Sequence, residues 1–174
     1  MKSAIAPIVA ALLLATAASA QEPAGATGTF LNADGAEVGT IELREMDGGV
    51  HVTGTVTGIP AGEHGAHFHA VGNCDPSVGF ETAEGHFNPE SNEHGLENPA
   101  GAHAGDLPNV TADDAETVTL DLHTTTVSLT ADNPAYIFDA DGTAFVIHAD
   151  PDDQMTDPSG NSGDRIACAV LEAP

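Results

Sequence analysis

In the stretch GVHVTGTV at residues 49–56, Val50, Val52 and Val56 alternate with His51, Thr53 and Thr55. A period of two is typical of a strand that has one buried face and one polar face. The stretch TVTLDLHT at residues 117–124 repeats this pattern with Val118 and Leu120. No segment of the chain shows a sustained helical period, so the sequence predicts an all-β protein.

Further short segments rich in strand-forming residues extend this pattern in both directions. They cover residues 27–32, 37–44, 126–130, 135–138, 143–149 and 165–171. Turn signals such as Asp34-Gly35 and Asp141-Gly142 separate them. Many short strands with regular turns indicate a β-sandwich or a β-barrel.

Two long segments interrupt the strands, at residues 72–108 and 150–163. Both are rich in residues that favour loops, and loops this long in a compact domain are usually functional or disordered. The first loop contains three histidines and a cysteine. We therefore expect a functional loop there.

The first 20 residues have the features of an export signal. Lys2 precedes an apolar run at residues 4–15, and the segment ends in the small residues Ala18-Ser19-Ala20. The alternative is a membrane anchor, but the run falls short of the ~20 residues that span a bilayer. We expect cleavage after Ala20, one mature domain at residues 21–174, and a periplasmic or secreted protein.

The composition is strongly acidic, with 27 Asp and Glu against three Lys and Arg and a net charge of −24. Such a surface repels nucleic acids and anionic membranes, so we expect neither as a partner. Acid-rich chains can be disordered. Here 41% of the residues are hydrophobic and they follow a strand pattern, which favours an ordered domain.

The chain has two cysteines, Cys74 and Cys168. In an oxidising compartment an even number of cysteines favours a disulfide. Two buried free thiols are the alternative.

Nine histidines are many for a chain of 174 residues. His51 and His123 lie on the polar side of predicted strands, and we expect them at the surface. In His67-Phe68-His69 the two imidazoles are two positions apart, so they share one face of a strand. Ala66 and Phe68 are then expected to face the core, and the pair could bind a metal.

The first long loop adds three imidazoles and one carboxylate within 21 positions, namely His86, His94, His103 and Asp106. Four nitrogen and oxygen ligands suit a closed tetrahedral zinc site. A metal there would also fix a loop that has few other constraints. His148 ends the apolar segment 145–147, where a buried structural histidine is the alternative to a ligand.

Together these segments resemble the copper–zinc superoxide dismutases. The motifs follow the family's order: HGAHFH at 64–69, GHFNP at 85–89, HG at 94–95, HAGDL at 103–107, FVIH at 145–148 and GDRIAC at 163–168. Residues 25–60 fit the family's first strands by pattern only. The compact loop and the export signal are most similar to the bacterial periplasmic branch.

The resemblance implies a Greek-key β-sandwich or barrel of about eight antiparallel strands, with a long metal-binding loop and a second active-site loop. It implies copper and zinc as cofactors, with these ligand sets: His67, His69, His86 and His148 for copper; His86, His94, His103 and Asp106 for zinc. His86 would bridge the two metals and take part in catalysis. Asp152 would hydrogen-bond one histidine of each set, and His64 would be a framework residue.

The implied activity is the disproportionation of superoxide to dioxygen and hydrogen peroxide. Arg165 would attract the anion, and Cys74 would pair with Cys168. Ala66, Ala70 and Asp164 depart from the family pattern, and Asp164 places a carboxylate beside Arg165. Family members occur as monomers or homodimers. A periplasmic metal carrier on the same scaffold is the alternative function.

Overall fold

The computed structural model describes residues 25–46 and 48–174, and the predicted export signal lies outside them. The described part contains nine strands and only two short 3-10 turns. The strands are β1 (Gly25–Asn32), β2 (Glu37–Met46), β3 (Gly49–Thr57), β4 (Gly62–His64), β5 (Ala66–His69), β6 (Val110–Ala112), β7 (Thr117–Thr124), β8 (Ala144–His148) and β9 (Arg165–Val170). The all-β prediction is confirmed. Among these residues no helix is long and apolar enough to span a bilayer.

All nine strands belong to one antiparallel sheet in the order β4-β6-β7-β3-β2-β1-β9-β8-β5. The two end strands, β4 and β5, are separated along the chain by Gly65 alone. The Gly65 N–H donates to the Asp150 carbonyl at 2.9 Å, and its carbonyl accepts from the His148 N–H at 2.8 Å. One continuous segment therefore joins both edges and nearly closes the sheet into a barrel.

The barrel interior holds the alternating apolar side chains that the sequence pattern predicted. Phe30, Leu43, Val52, Phe68 and Phe145 are fully buried in one cluster. Phe145 contacts both Phe30 and Phe68 edge-to-face, with ring centroids 6.0 and 5.2 Å apart. The core thus fixes β5 and β8 against each other, and these two strands carry three of the expected metal ligands.

A second, smaller core covers the outer face of β8 and β9. Phe80 and Ala83 of the first long loop pack there against Val146 and Cys168. Cys74 forms the disulfide with Cys168, with the two Cα atoms 5.7 Å apart. This bond and the buried Phe80 attach the first part of the loop to the barrel.

Two of the predicted strands are wrong. Residues 126–130 and 135–138 form no strand and share a single isolated bridge between Ser128 and Tyr136. Val127, Leu129 and Ile137 are nevertheless buried in the main core. Their apolar spacing reflects burial of this connection against the barrel. Two backbone hydrogen bonds, both through Ser128, join the two segments and do not continue into a strand ladder.

Candidate metal centre

The histidine pair of β5 has the predicted orientation. Ala66 and Phe68 point into the main core, whereas His67 and His69 lie on the opposite face and are almost fully buried. In the pairing of β5 with β8, His67 lies opposite Val146. Burial of both imidazoles at the outer face means that the loops cover this side of the barrel.

Backbone hydrogen bonds attach the long loop to the free edge of β5. The Phe87 N–H donates to the Phe68 carbonyl at 2.8 Å, and the Phe68 N–H donates to the Gly105 carbonyl at 3.0 Å. Isolated bridges then pair His69 with His86 and His67 with Asp106. The loop residues therefore meet the strand histidines in a fixed register.

His148 reaches the same place from β8. Its neighbour Ile147 faces the core, so the two-residue period turns His148 to the outer face. The register with β9 shifts between Ile147 and His148, and this shift brings Arg165 directly opposite His148.

Four imidazoles from three parts of the chain converge into what we term the four-histidine cluster: His67, His69, His86 and His148. One ring nitrogen from each lies within 4.8 Å of the others. The Nε2 atoms of His69 and His148 are 3.4 Å apart. His67 Nδ1 and His86 Nε2 are buried and have no hydrogen-bond partner.

In His69 and His148, the ring nitrogen that points away from the cluster donates a hydrogen bond to a backbone carbonyl. His69 Nδ1 donates to the Glu84 carbonyl at 2.8 Å, and His148 Nδ1 donates to the Gly163 carbonyl at 3.2 Å. These bonds fix which nitrogen faces the centre of the cluster. Unpartnered buried nitrogens are costly unless something binds them, so the cluster fits a metal ion.

A second group, the Asp106 cluster, consists of His86, His94, His103 and Asp106. Asp106 Oδ1 lies 2.8 Å from His86 Nδ1, 3.0 Å from His94 Nδ1 and 3.4 Å from His103 Nδ1. The Nδ1 atoms of His86 and His103 are 3.4 Å apart. Zinc–ligand bonds of about 2.0–2.1 Å in a tetrahedron give ligand separations of about 3.3–3.4 Å. The two separations of 3.4 Å match this value, and the two shorter ones are hydrogen bonds that zinc would replace, so the donor set fits zinc.

His86 belongs to both clusters. Its Nδ1 faces Asp106 and its Nε2 is one of the two unpartnered nitrogens of the four-histidine cluster. Its ring also stacks on that of His67, with centroids 3.9 Å apart. One imidazole therefore presents a nitrogen to each of two adjacent metal-sized sites.

Asp152 connects the two clusters a second time. His67 Nε2 donates to Asp152 Oδ2 at 2.6 Å, and His94 Nε2 donates to Asp152 Oδ1 at 3.1 Å. The carboxylate is buried. It leaves Nδ1 of both imidazoles free to face the cluster centres, which is how outer carboxylates orient metal-binding histidines.

Burial sets the protonation of the four-histidine cluster. It lowers the pKa of His69, with repulsion from His86 and His148 adding to the effect, and it lowers the pKa of His148 to about 3. Burial also lowers the pKa of His86 to about 4, although the hydrogen bond that His86 donates to Asp106 acts in the opposite direction. These imidazoles are neutral at pH 7, which is the form that binds metals.

His94 behaves differently in the metal-free protein. Burial lowers its pKa, but hydrogen bonds with Asp106 and Asp152 outweigh this and raise the pKa to about 9. Hydrogen bonds from histidines hold the pKa of both carboxyls well below the usual range despite burial. Metal binding at the Asp106 cluster must therefore displace a proton from His94.

Arg165 lies beside the four-histidine cluster and lines the same cavity, whose volume is about 860 Å³. Its Nη1 donates to the Phe80 carbonyl at 2.6 Å and its Nη2 to the Glu84 carbonyl at 2.7 Å. Only 14% of its side chain is exposed. The guanidinium is thus fixed by the loop that the disulfide anchors.

The backbone of Glu84, which accepts one of the Arg165 hydrogen bonds, is strained. Its φ of 59° and ψ of −150° lie in a region that glycine occupies almost exclusively. Its carbonyl accepts from both His69 and Arg165. We infer that the two hydrogen bonds help to maintain a backbone conformation that a side chain disfavours.

We therefore predict that Glu84→Gly is more stable than Glu84→Ala. Both variants remove the carboxylate, and only glycine relieves the backbone. The free energy of unfolding should differ by about 1–2 kcal/mol, since the strain of about 1–3 kcal/mol is partly offset by the greater chain entropy of glycine. Denaturant unfolding of the metal-free proteins measures this difference, and an alanine variant of equal or greater stability would contradict it.

Three residues that the sequence did not single out support the centre. Asn109 exchanges hydrogen bonds with the backbone of Asp152 at 2.8 and 2.9 Å. Asp157 accepts from the His94 N–H at 2.8 Å. Gly160 has a φ of 62°, and a Cβ there would overlap the Asp152 carboxylate. Asn109 and Asp157 contact partners 43 and 63 positions away, so no local pattern marks these two residues.

The other histidines lie outside both clusters. His64 lies between two backbone carbonyls. Its Nδ1 is 2.8 Å from the His148 carbonyl oxygen, and its Nε2 is 2.7 Å from the Pro60 carbonyl oxygen. His123 is exposed as expected. His51 is half-buried and lies 2.7 Å from Asp121, so it is less exposed than the strand pattern predicted.

Comparison with known proteins agrees with this architecture. The family model described as "Copper/zinc superoxide dismutase (SODC)" matches residues 37–171. "Superoxide dismutase [Cu-Zn] 2" of Aquifex aeolicus (strain VF5) is 40% identical over 165 residues, covering 94% of this chain and 96% of the relative. "Superoxide dismutase [Cu-Zn]" of Caulobacter vibrioides is 37% identical over 150 residues, covering 84% of this chain and 85% of the relative.

Among solved structures, a superoxide-dismutase-like protein from Bacillus subtilis superimposes with a TM-score of 0.80. It is 39% identical, and the match covers 84% of this chain and 97% of that protein. The match of the family model, the long alignments with bacterial relatives and the shared fold lead to one conclusion. The chain belongs to the copper/zinc superoxide dismutase family.

Proposed function

We propose that this enzyme disproportionates superoxide with a copper ion held by the four-histidine cluster, next to a zinc ion held by the Asp106 cluster. The reaction consumes two superoxide ions and two protons and yields dioxygen and hydrogen peroxide. The observation that supports this most directly is His86, which presents one nitrogen to each cluster. Copper supplies a one-electron redox change, which zinc cannot provide.

The four-histidine cluster has the greater access to solvent. Three of its members, His69, His86 and His148, line the cavity with Arg165. In the Asp106 cluster His86 and His103 line the cavity, whereas His94 and Asp106 are buried and do not line it. A small anion can therefore reach the four-histidine cluster from the cavity. Three imidazoles and a carboxylate also suit zinc, and a set of imidazoles alone suits copper.

The remaining residues bind and orient. Arg165 provides a fixed positive charge in the cavity, because its guanidinium donates hydrogen bonds to the Phe80 and Glu84 carbonyls. His86 Nε2 is the ring nitrogen placed to hold a proton for the departing peroxide, because His86 lines the cavity and this nitrogen has no other partner. Asp152 keeps His67 and His94 in the tautomers that face the clusters.

Metal analysis combined with a superoxide-consumption assay tests the proposal. We expect about one copper and one zinc per chain, and turnover that requires the copper. A protein that binds both metals and leaves superoxide unchanged would contradict the enzyme and favour a metal carrier. Selective removal of copper while zinc is retained should abolish turnover.

We also propose that the chain is exported and cleaved after Ala20. The disulfide between Cys74 and Cys168 supports an oxidising compartment. Mass spectrometry of the protein from its native host should find Gln21 at the N-terminus. An intact Met1 on the mature protein would refute the proposal.

Asp152→Asn provides a test of the connection between the clusters. His67 and His94 donate to different oxygens of Asp152, and asparagine replaces one of these oxygens by an NH₂ donor, so one of the two histidines loses its acceptor. We expect metal affinity or superoxide turnover to fall about 10- to 100-fold, the usual cost of losing an outer carboxylate. Metal competition titration and the rate assay measure the loss. Asp153→Asn is the control, because Asp153 is exposed and bonds only to its own loop. Equal metal affinities and equal rates in the two variants would contradict the role.

A further inference from the structure

The cavity over the four-histidine cluster has carboxylates at its exposed part. Glu81, Asp164 and Arg165 are the charged residues that line it apart from the histidines. The Glu81 side chain is 76% exposed and that of Arg165 only 14%. Asp164 is also exposed. An approaching anion therefore meets two negative side chains before it reaches the positive one.

Within the described part of the chain, the only other lysine or arginine side chain is that of Arg44. It pairs with Glu42 and does not line the cavity. Glu81 Oε2 lies 3.9 Å from Arg165 Nη2, close enough to offset much of the field of the guanidinium. The Asp164 carbonyl accepts from the Ala149 N–H at 2.8 Å, which fixes the backbone of the second carboxylate beside Arg165.

We propose that Glu81 and Asp164 form an acidic rim that slows the approach of anions to the four-histidine cluster and makes Arg165 a short-range attractor only. This inference rests on the proposed function. A carboxylate about 8 Å from an anion in water repels it by about 0.5 kcal/mol, equivalent to roughly a twofold change. Salt of about 1 M shortens the screening length to about 3 Å and removes the effect.

The test uses the copper- and zinc-loaded variants Glu81→Gln, Asp164→Asn and the double variant. Azide is the probe, and its binding is followed by the visible absorption of Cu(II). At about 0.01 M ionic strength each single variant should bind azide roughly twofold more tightly, and the double variant about fourfold. At about 1 M salt the differences should disappear.

The matched control is Asp114→Asn. Asp114 is exposed in the turn between β6 and β7, and β7 is separated from β9 by β3, β2 and β1. This variant removes the same charge from the protein but not from the cavity. Azide affinity that changes equally in all variants would show an effect of net charge and overturn the rim.

The salt dependence of the superoxide rate gives a second readout, because its sign should differ between the wild type and the double variant. For the wild type we expect added salt to leave the rate unchanged or raise it, because screening weakens the rim. For the double variant added salt should lower the rate, because Arg165 then dominates the cavity. A wild-type rate that falls steeply with salt would overturn the rim. If copper-loaded wild type consumes no superoxide, the proposed function fails, and azide binding still decides whether the rim acts.

Discussion

Replacing His148 by glutamine is expected to reduce superoxide consumption by more than about a hundredfold, beyond the 10- to 100-fold that loss of a supporting residue costs. His148 Nε2 lies 3.4 Å from His69 Nε2 at the centre of the four-histidine cluster. An amide is a poorer copper ligand than imidazole, so three nitrogens would remain for the metal. Copper content should fall with the rate.

Zinc should remain, because His148 is not part of the Asp106 cluster. The measurement is therefore copper and zinc content together with the rate on the same sample. His123→Gln is the matched control: His123 is an exposed histidine of β7 that belongs to neither cluster. The assignment of His148 would be refuted if its variant kept copper and full turnover.

The orientation of the strand histidines was predictable because it depends on local geometry. A period of two separates His67 and His69 from Ala66 and Phe68, and the structure confirms this separation. The same parity turns His148 outward after Ile147. Many short strands and turn signals predicted a sandwich or a barrel, and the structure is a nearly closed barrel.

The arrangement of the loop depended on contacts that sequence periodicity does not encode. The motif resemblance implied the two ligand groups, but the nitrogen that each imidazole presents depends on distant carbonyls. Glu84 holds His69, and Gly163 holds His148. The strained backbone of Glu84 is invisible in the sequence, because nothing about a glutamate predicts a conformation typical of glycine.

The incorrectly predicted strands have a related cause. Val127, Leu129 and Ile137 are spaced like strand residues and are buried like them. Burial of alternate residues does not require a ladder, however, and the Leu129 N–H donates to the Glu45 side chain at 2.9 Å. Apolar spacing predicts which side chains enter the core more reliably than it predicts backbone pairing.

Asp106→Asn should have the largest effect on stability, because both oxygens of this buried carboxylate are used. Oδ1 lies near Nδ1 of all three histidines of its cluster. Oδ2 accepts from the Gly95 N–H at 2.8 Å and from the His103 N–H at 3.0 Å. An asparagine must turn its NH₂ group either toward these N–H donors or toward the metal-facing nitrogens, and both arrangements are unfavourable.

We expect zinc affinity to fall by at least about a hundredfold, which removes about 2.7 kcal/mol of zinc-dependent stabilisation when zinc saturates the wild type. For a domain of about 150 residues this lowers Tm by roughly 5–10 °C. Thermal unfolding at fixed zinc concentration measures the shift, and repetition without metal separates lost zinc from lost hydrogen bonds. Asp114→Asn, an exposed aspartate outside the cluster, should keep the zinc-dependent rise in Tm. If Asp106→Asn kept the same rise, zinc would be held by other residues, because no cluster could lose its central oxygen and retain its affinity.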